Sequence, residues 1–375
     1  MKQLVVIFTL WLAWMPVGAQ KTLTLEECLK LGIENNLSLE GSRNEMRKAK
    51  HLLSENRAKL WPQISAVAGF NDNFNPPVSV TDGSAYGNLY NVTKTLQYNA
   101  SAGLQLQMPL YNQTVYTAVD IARTLNELNR LSYEKAREDL MMQISKMYYL
   151  GQNTMEQLTL IQENMVRLRE LRDITLAFFD NGMAMEVDVK RVNINLENQQ
   201  VQYDNAKSML VQQLNLLKYV MDYPADEEIT LTPVDTERMQ SASLTGLRGD
   251  LYELQLLQSQ EKLAGQQKDL IRQGYLPSLT LTGSWMYSAY TDKARHWFHS
   301  GPSNHWYPST GLGITLRVPI FDGFDKRARI RKAQIDQENA KLNYENTLKN
   351  MQTQYLNATN ELMNNQRNFK KQKDY

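Results

Sequence analysis

The chain has 375 residues, with 41 lysines and arginines against 40 aspartates and glutamates, a formal net charge of +1. Both signs are mixed along its whole length, which argues against nucleic acid or an anionic surface as a partner. A mean hydropathy of −0.50 looks soluble, but it leaves room for a membrane β-barrel, in which only alternate residues face lipid.

The opening MKQLVVIFTLWLAWMPVGAQ has a positive Lys2, an apolar stretch over Leu4–Trp14 and a small-residue site at Val17-Gly18-Ala19. That is the pattern of a secretory signal peptide cleaved after Ala19, so residues 1–19 are set aside from the fold. The apolar stretch is too short for the roughly twenty residues of a membrane span. No later stretch is apolar for long enough, so no transmembrane helix is expected. The one cysteine, Cys28, can form no internal disulfide. Its helical spacing from Leu25 and Leu31 reads as a buried thiol.

A helix comes next, "LTLEECLKLGIENNLSLEGSRNEMRKAKHLLSENRAKL". Thr24 and Glu27 make a capping box at its start, and Pro62 ends it, because the residue before proline avoids the helical region. Strands follow over about 60–74 and 97–111, joined by a turn-rich loop at 72–96. Ile64, Ala66, Ala68 and Phe70 alternate with smaller or polar residues, and Leu104, Leu106 and Met108 alternate with Gln105 and Gln107. From about 114 to 179 apolar residues recur every three or four positions without a proline. A helix of roughly 65–70 residues reaches about 100 Å and must pack on other helices as a coiled coil. The segment 180–188 is a hairpin turn, and a return helix runs to about 222. A linker at 223–245 carries Pro224, Pro233 and a short strand candidate, Ile229–Thr232.

The chain then starts again. "AKLWPQISAVAGF" pairs with "QGYLPSLTLTGSW", "MPLYNQ" with "VPIFDG", and "LSYE" with "LNYE", at offsets of about 215, 210 and 211 residues. An internal two-fold repeat follows, with a first copy over 20–222 and a second over 246–375. The second has a helix ending at Pro277, strands over about 276–290 and 306–321, and a long helix that breaks off before a second hairpin turn. The C-terminal part of this copy is read as missing.

Period-two strands of about ten residues with one polar face fit tilted membrane strands. A water-soluble sandwich would show the same alternation. Two features favour the membrane: the long loops, and the aromatics gathered near their ends (Tyr86, Tyr90, Trp285, Tyr287, Tyr290, Trp297, Phe298, Trp306 and Tyr307). The polar faces then expose Gln105, Gln107, Thr280, Thr282, Thr315 and Arg317 to a barrel lumen. Arg317, near a strand end, would line the pore and attract anions, or form a salt bridge across the barrel. Pro109, Pro319 and Gly323 mark the passage from strand to helix, where a strand ladder can lose a donor and the backbone can swing. No nucleophile–base arrangement argues for an enzyme. His296, His299 and His305 lie in the loop 291–305, where solvated side chains are the plain reading rather than a metal site. No cofactor is expected.

These parts resemble the TolC-like outer membrane factor family. "LTLEECLKLGIENNLSLE", "LWPQIS", "YLPSL", "MPLYN", "VPIFDG" and "NGMAMEVDV" carry the resemblance, which covers residues 23–375. It implies a mainly α fold with membrane β: long antiparallel coiled-coil helices forming a periplasmic α-barrel, plus four strands per protomer in a shared twelve-stranded β-barrel. It also implies a homotrimer in the bacterial outer membrane, in contact with its lipid, docked on a periplasmic adaptor and an inner-membrane pump. Such channels pass small toxic compounds or exported substrates. On this resemblance Asn181, Gly182, Met183 and Ala184 touch the adaptor and Asp188 lies near the tunnel mouth; Gly182 also fits a plain helix C-cap. The alternative is an exported coiled-coil structural or adhesion protein that forms no channel.

Overall fold

A computed structural model describes residues 21–82, 90–234, 251–292 and 306–373. The expected signal peptide, residues 235–245 of the expected linker, the three loop histidines and the aromatics Tyr86, Trp297 and Phe298 lie outside the described residues. The chain divides into a helical unit, residues 1–46, 129–256 and 347–375, and a sheet unit, residues 47–128 and 257–346.

The helical unit begins with a short strand β1 (Lys21–Leu23), which pairs in parallel with β6 (Ile229–Leu231). The alternation rules find β6 but not β1, since three residues are too few to show a period. Helix α1 (Leu25–Asn35) starts on the expected capping box: the Thr24 N–H donates to the Glu27 carboxylate at 2.8 Å, and the Glu27 N–H donates to Thr24 Oγ1 at 3.3 Å. The spacing predicts a single helix through Leu60, but the structure breaks it at Asn36 and restarts as α2 (Leu37–Ala58). Asn36 accepts from the Leu39 N–H at 2.9 Å and donates to the Val220 carbonyl at 2.8 Å. The side chain that starts α2 is thus tied to a residue 184 positions away, a contact to which helical periodicity is blind.

Helix α3 (Gln113–Asp180) has 68 residues and α4 (Glu186–Met221) has 36. Within the helical unit their three-and-four spacing buries Leu140, Ile144 and Tyr148 of α3 with Leu217, Val220 and Met221 of α4. Leu23, Cys28, Leu39, Ile229 and Leu231 complete this core. Each fully buried aliphatic side chain contributes about 1.5–3 kcal/mol. Tyr148 donates to the Leu23 carbonyl at 3.1 Å, and Gln152 donates to the Thr232 carbonyl at 2.6 Å, so the small β1–β6 pair is latched to α3. Cys28 is fully buried, as its spacing suggests. Burial, reinforced by the Glu27 charge, pushes its thiol up to about 11. Further along, Ile161 and Met165 of α3 enclose Ala206 of α4.

In the sheet unit four strands stand in the order β2-β5-β7-β8. They are β2 (Gln63–Asp72), β5 (Tyr98–Tyr111), β7 (Ser278–Thr291) and β8 (Trp306–Arg317), all antiparallel to their neighbours. The segment expected to be a plain loop at 72–96 contains a hairpin of β3 (Val78–Asp82) and β4 (Tyr90–Lys94), with Val80 opposite Val92. Its two prolines, Pro76 and Pro77, signal a turn so strongly that they hide the short alternation behind them. Helix α5 (Tyr252–Gln273) leads into β7 as α2 leads into β2. In both, a last turn unwinds before the proline: Trp61 N–H bonds to the Ala58 carbonyl, and Leu276 N–H to the Gln273 carbonyl. Helix α6 (Asp325–Lys373) follows β8. Its Gln337 accepts from Lys268 of α5 at 2.8 Å.

Candidate functional site

Three places carry the residues singled out from sequence: one sheet face, two strand exits and a helical turn. Residues directly opposite in an antiparallel ladder share a face. Gln105 opposes Ser65 and Ser284, Gln107 opposes Gln63 and Thr282, Thr280 opposes Thr315, and Arg317 opposes Ser278. The register therefore brings all six expected lumen residues, Gln105, Gln107, Thr280, Thr282, Thr315 and Arg317, to a single polar face. The other face carries Ile64, Phe70, Leu104, Leu106, Trp285, Leu312, Ile314 and Leu316. Ile64 is 70% exposed and Leu312 77%. Contiguous apolar surface of this kind marks an interaction face rather than an ordinary water-facing one. Among the described residues no helix is long and apolar enough to cross a membrane.

One exit ends where the sequence places it and the other does not. Pro109 lies inside β5, which runs to Tyr111 as expected; it stands opposite Thr280, with a register shift before Tyr111. A bulge accommodates a residue that has no N–H to give. Pro319 lies outside β8, which stops at Arg317 and not near 321. At the first exit Asn112 accepts from the Thr114 N–H at 3.1 Å and so caps α3. At the second, Asp322 accepts from the N–H groups of Phe324 at 3.1 Å and Lys326 at 3.2 Å, and from the Lys326 ammonium at 3.1 Å. Partial burial pushes the Asp322 carboxyl up, but the Lys326 ammonium and these N–H groups outweigh it and hold it below the usual carboxylate value. Gly323 takes φ +66°, as its place predicts, and Phe324 takes φ +68° beside it. Sequence reasoning missed Asn112, Asp322, Lys326 and Phe324. An Asn or Asp three residues past each proline was the available signal.

The helical turn has a Schellman geometry. The Met183 N–H reaches the Phe178 carbonyl at 2.8 Å, the Gly182 N–H reaches the Phe179 carbonyl at 2.9 Å, and Gly182 has φ +73°. A Cβ at Gly182 would meet nothing within 4 Å. The glycine is therefore there for backbone conformation, not for room. Asn181 donates from its side chain to the Ala177 carbonyl at 2.7 Å. Met183 and Met185 are exposed, with Ala184 half-buried between them. The Asp188 carboxylate accepts from the Met185 N–H at 3.3 Å and lies 3.6 Å from Arg191, so it steadies the first turn of α4. No group of potential metal ligands forms among the described residues.

A sheet with a polar and an exposed apolar face, joined in one chain to very long helices, fits the class of outer membrane channel subunits. In keeping with this, the profile of the family described as outer membrane efflux protein matches residues 29–221 and 252–374. The chain belongs to that family and is an outer membrane protein. Outer membrane protein TolC of Vibrio cholerae is 23% identical over 325 residues, covering 83% of this chain and 68% of TolC. The probable efflux pump outer membrane protein TtgC of Pseudomonas putida is 22% identical, covering 86% of this chain and 65% of its own length. The chain thus spans about two thirds of these relatives. The outer membrane protein VceC of Vibrio cholerae shares the fold with a TM-score of 0.72 at 14% identity, over 93% of this chain and 81% of VceC. The MtrE outer membrane channel of Neisseria gonorrhoeae gives 0.61 at 19% identity, over 90% and 72%.

Proposed function

We propose that this chain is the outer membrane channel subunit of a tripartite efflux or type I secretion system. Three copies would close a twelve-stranded barrel, and their helices would continue it as a periplasmic tunnel built from two sequence repeats. One observation carries the reading: a four-stranded sheet with a polar face, an exposed apolar face and, among the described residues, two open edges. Four strands cannot close a barrel, and an open edge is not tolerated in lipid, so closure needs further copies. The polar face would line the lumen, with three Arg317 side chains near its periplasmic end favouring anions. Asn181, Gly182, Met183 and Ala184 would meet a periplasmic adaptor, which links the channel to an inner-membrane pump, and Asp188 would lie near the tunnel mouth. Small toxic compounds or exported proteins would be the cargo. An exported stalk or adhesin has no use for an apolar sheet face, which weighs against that alternative.

Replacing Gly182 by a bulky residue in cells carrying the full-length protein tests the site. The expected outcome is loss of compound resistance or export, with heat-labile trimers still present on a gel. Loss of the trimers instead would make the glycine purely structural. A freely soluble periplasmic species in place of a detergent-extracted one would end the channel reading.

A further inference from the structure

The three strand joints of the sheet are not independent. Gln63 opposes Gln107 at the start of the β2–β5 joint, and Ser278 opposes Arg317 at the start of the β7–β8 joint. Moving back 215 positions carries Ser278 onto Gln63, and moving back 210 carries Arg317 onto Gln107. The same two offsets carry Leu279–Leu316 onto Ile64–Leu106, and so on to Tyr287–Pro308 onto Asp72–Tyr98. The two hairpins therefore share one register, pair for pair.

The middle joint, β5–β7, connects one hairpin to the other. Here β5 runs further than its pairing with β2 requires: Met108, Pro109 and Tyr111 meet only β7. Their counterparts under the 210-residue offset are Val318, Pro319 and Phe321. These lie just beyond the end of β8 and are unpaired. Ile320 is 94% exposed and Phe321 74%. What β8 lacks is the partner that β7 provides for β5. Within the repeat, the counterpart of β7 is β2, whose outer edge is also open.

We infer that β8 of one copy pairs with β2 of the next copy in the register of the β5–β7 joint. Thr315 then lies opposite the next copy's Gly69, as Gln105 lies opposite Ser284. Arg317 lies opposite the next copy's Val67, on the polar face. Ile314 meets Phe70 on the apolar face, as Leu104 meets Trp285, a favourable aliphatic–aromatic cross-strand pair. The strand lengthens through Val318, bulges past Pro319 and sets Phe321 opposite the next copy's Ile64. The pairing gives both edge strands a backbone neighbour. It rests on the trimeric reading proposed above, to which it adds a residue-by-residue seam.

Cysteine pairs in the full-length protein, assembled in the membrane, test the seam, with the buried Cys28 left in place. Directly opposed residues lie about 4.5–5.5 Å apart between Cα atoms, inside the range of a disulfide, and neighbours two residues off lie at roughly 7–8 Å, outside it. Thr315→Cys with Gly69→Cys should yield roughly ten-fold more intermolecular disulfide than Thr315→Cys with Val67→Cys or with Asn71→Cys. Phe321→Cys with Ile64→Cys should cross-link as well. Alone, Phe321→Cys should react with a maleimide several-fold more slowly in the trimer than after its dissociation. Cross-linking that is strongest in an off-register pair, with trimers intact, overturns the seam and leaves the channel reading standing. A protein that gives no oligomer in detergent, in the unmodified chain or in any variant, overturns the channel reading and the seam together.

Discussion

The exit from β5 and the exit from β8 make the same strand-to-helix turn by different means. Each has a proline, two apolar residues and then a short polar side chain that accepts a backbone N–H two residues on, Asn112 from Thr114 and Asp322 from Phe324. After Asn112 the chain enters α3 at once. After Asp322 it passes through two left-handed residues, Gly323 and Phe324, before α6 begins at Asp325. Among the described residues of one copy, the strand behind the first exit has a neighbour on both sides and the strand behind the second has one. A strand held on both sides carries its own exit to Tyr111. One held on a single side lets go at Arg317, and the turn must then be fixed by local ties: a carboxylate, an ammonium and a left-handed glycine.

The largest expected effect is at the left-handed glycine. Gly323→Val forces a β-branched residue to φ +66° and should cost about 1–2 kcal/mol or somewhat more, seen as a lower melting temperature. The matching change at the first exit, Gln113→Val, should cost only about half a kcal/mol. Equal losses at the two would break the comparison. Next, Asn112→Ala removes the cap of α3 and should cost about 1 kcal/mol, with Asn112→Asp retaining most of it.

The third test separates the exits by acid. The folded pKa of Asp322 lies below its usual 3.8, so its contribution is present above that value and is lost as pH falls through the lower, folded one. Acid unfolding followed by circular dichroism should show this loss in the unmodified chain and a flatter curve in Asp322→Asn. An unchanged curve would mean that the ties to Lys326 and Phe324 do not hold the exit. The smallest structural effect is expected of Arg317→Gln, within about half a kcal/mol of neutral. Its reversal potential in planar bilayers should move from anion towards cation preference. No movement would place Arg317 outside the conducting path.

Much of this was legible because it depends on near neighbours in sequence. The capping box needs only Thr24 and Glu27, the end of α2 needs only Pro62, and period two assigned Gln105, Gln107, Thr280, Thr282, Thr315 and Arg317 to polar faces strand by strand. Gly182 was legible as a C-cap because a left-handed turn excludes most other residues. The break at Asn36 was not legible, since it hangs on the Val220 carbonyl at the far end of α4. The β3–β4 hairpin was hidden by its own turn residues.

The sequence by itself determined the periods, the capping box at Thr24, the repeat offsets and the family, because each rests on local stereochemistry or on residue order. Only the tertiary structure decided that six polar residues from three strands share one face, that β1 finds β6 across some two hundred residues, and that Pro109 is paired while Pro319 is not. Register is a relation between strands, and no strand carries it alone. The strand edge that holds Pro109 in the sheet has no counterpart beside Pro319 within one copy, so the matching motifs MPLYNQ and VPIFDG end in different places.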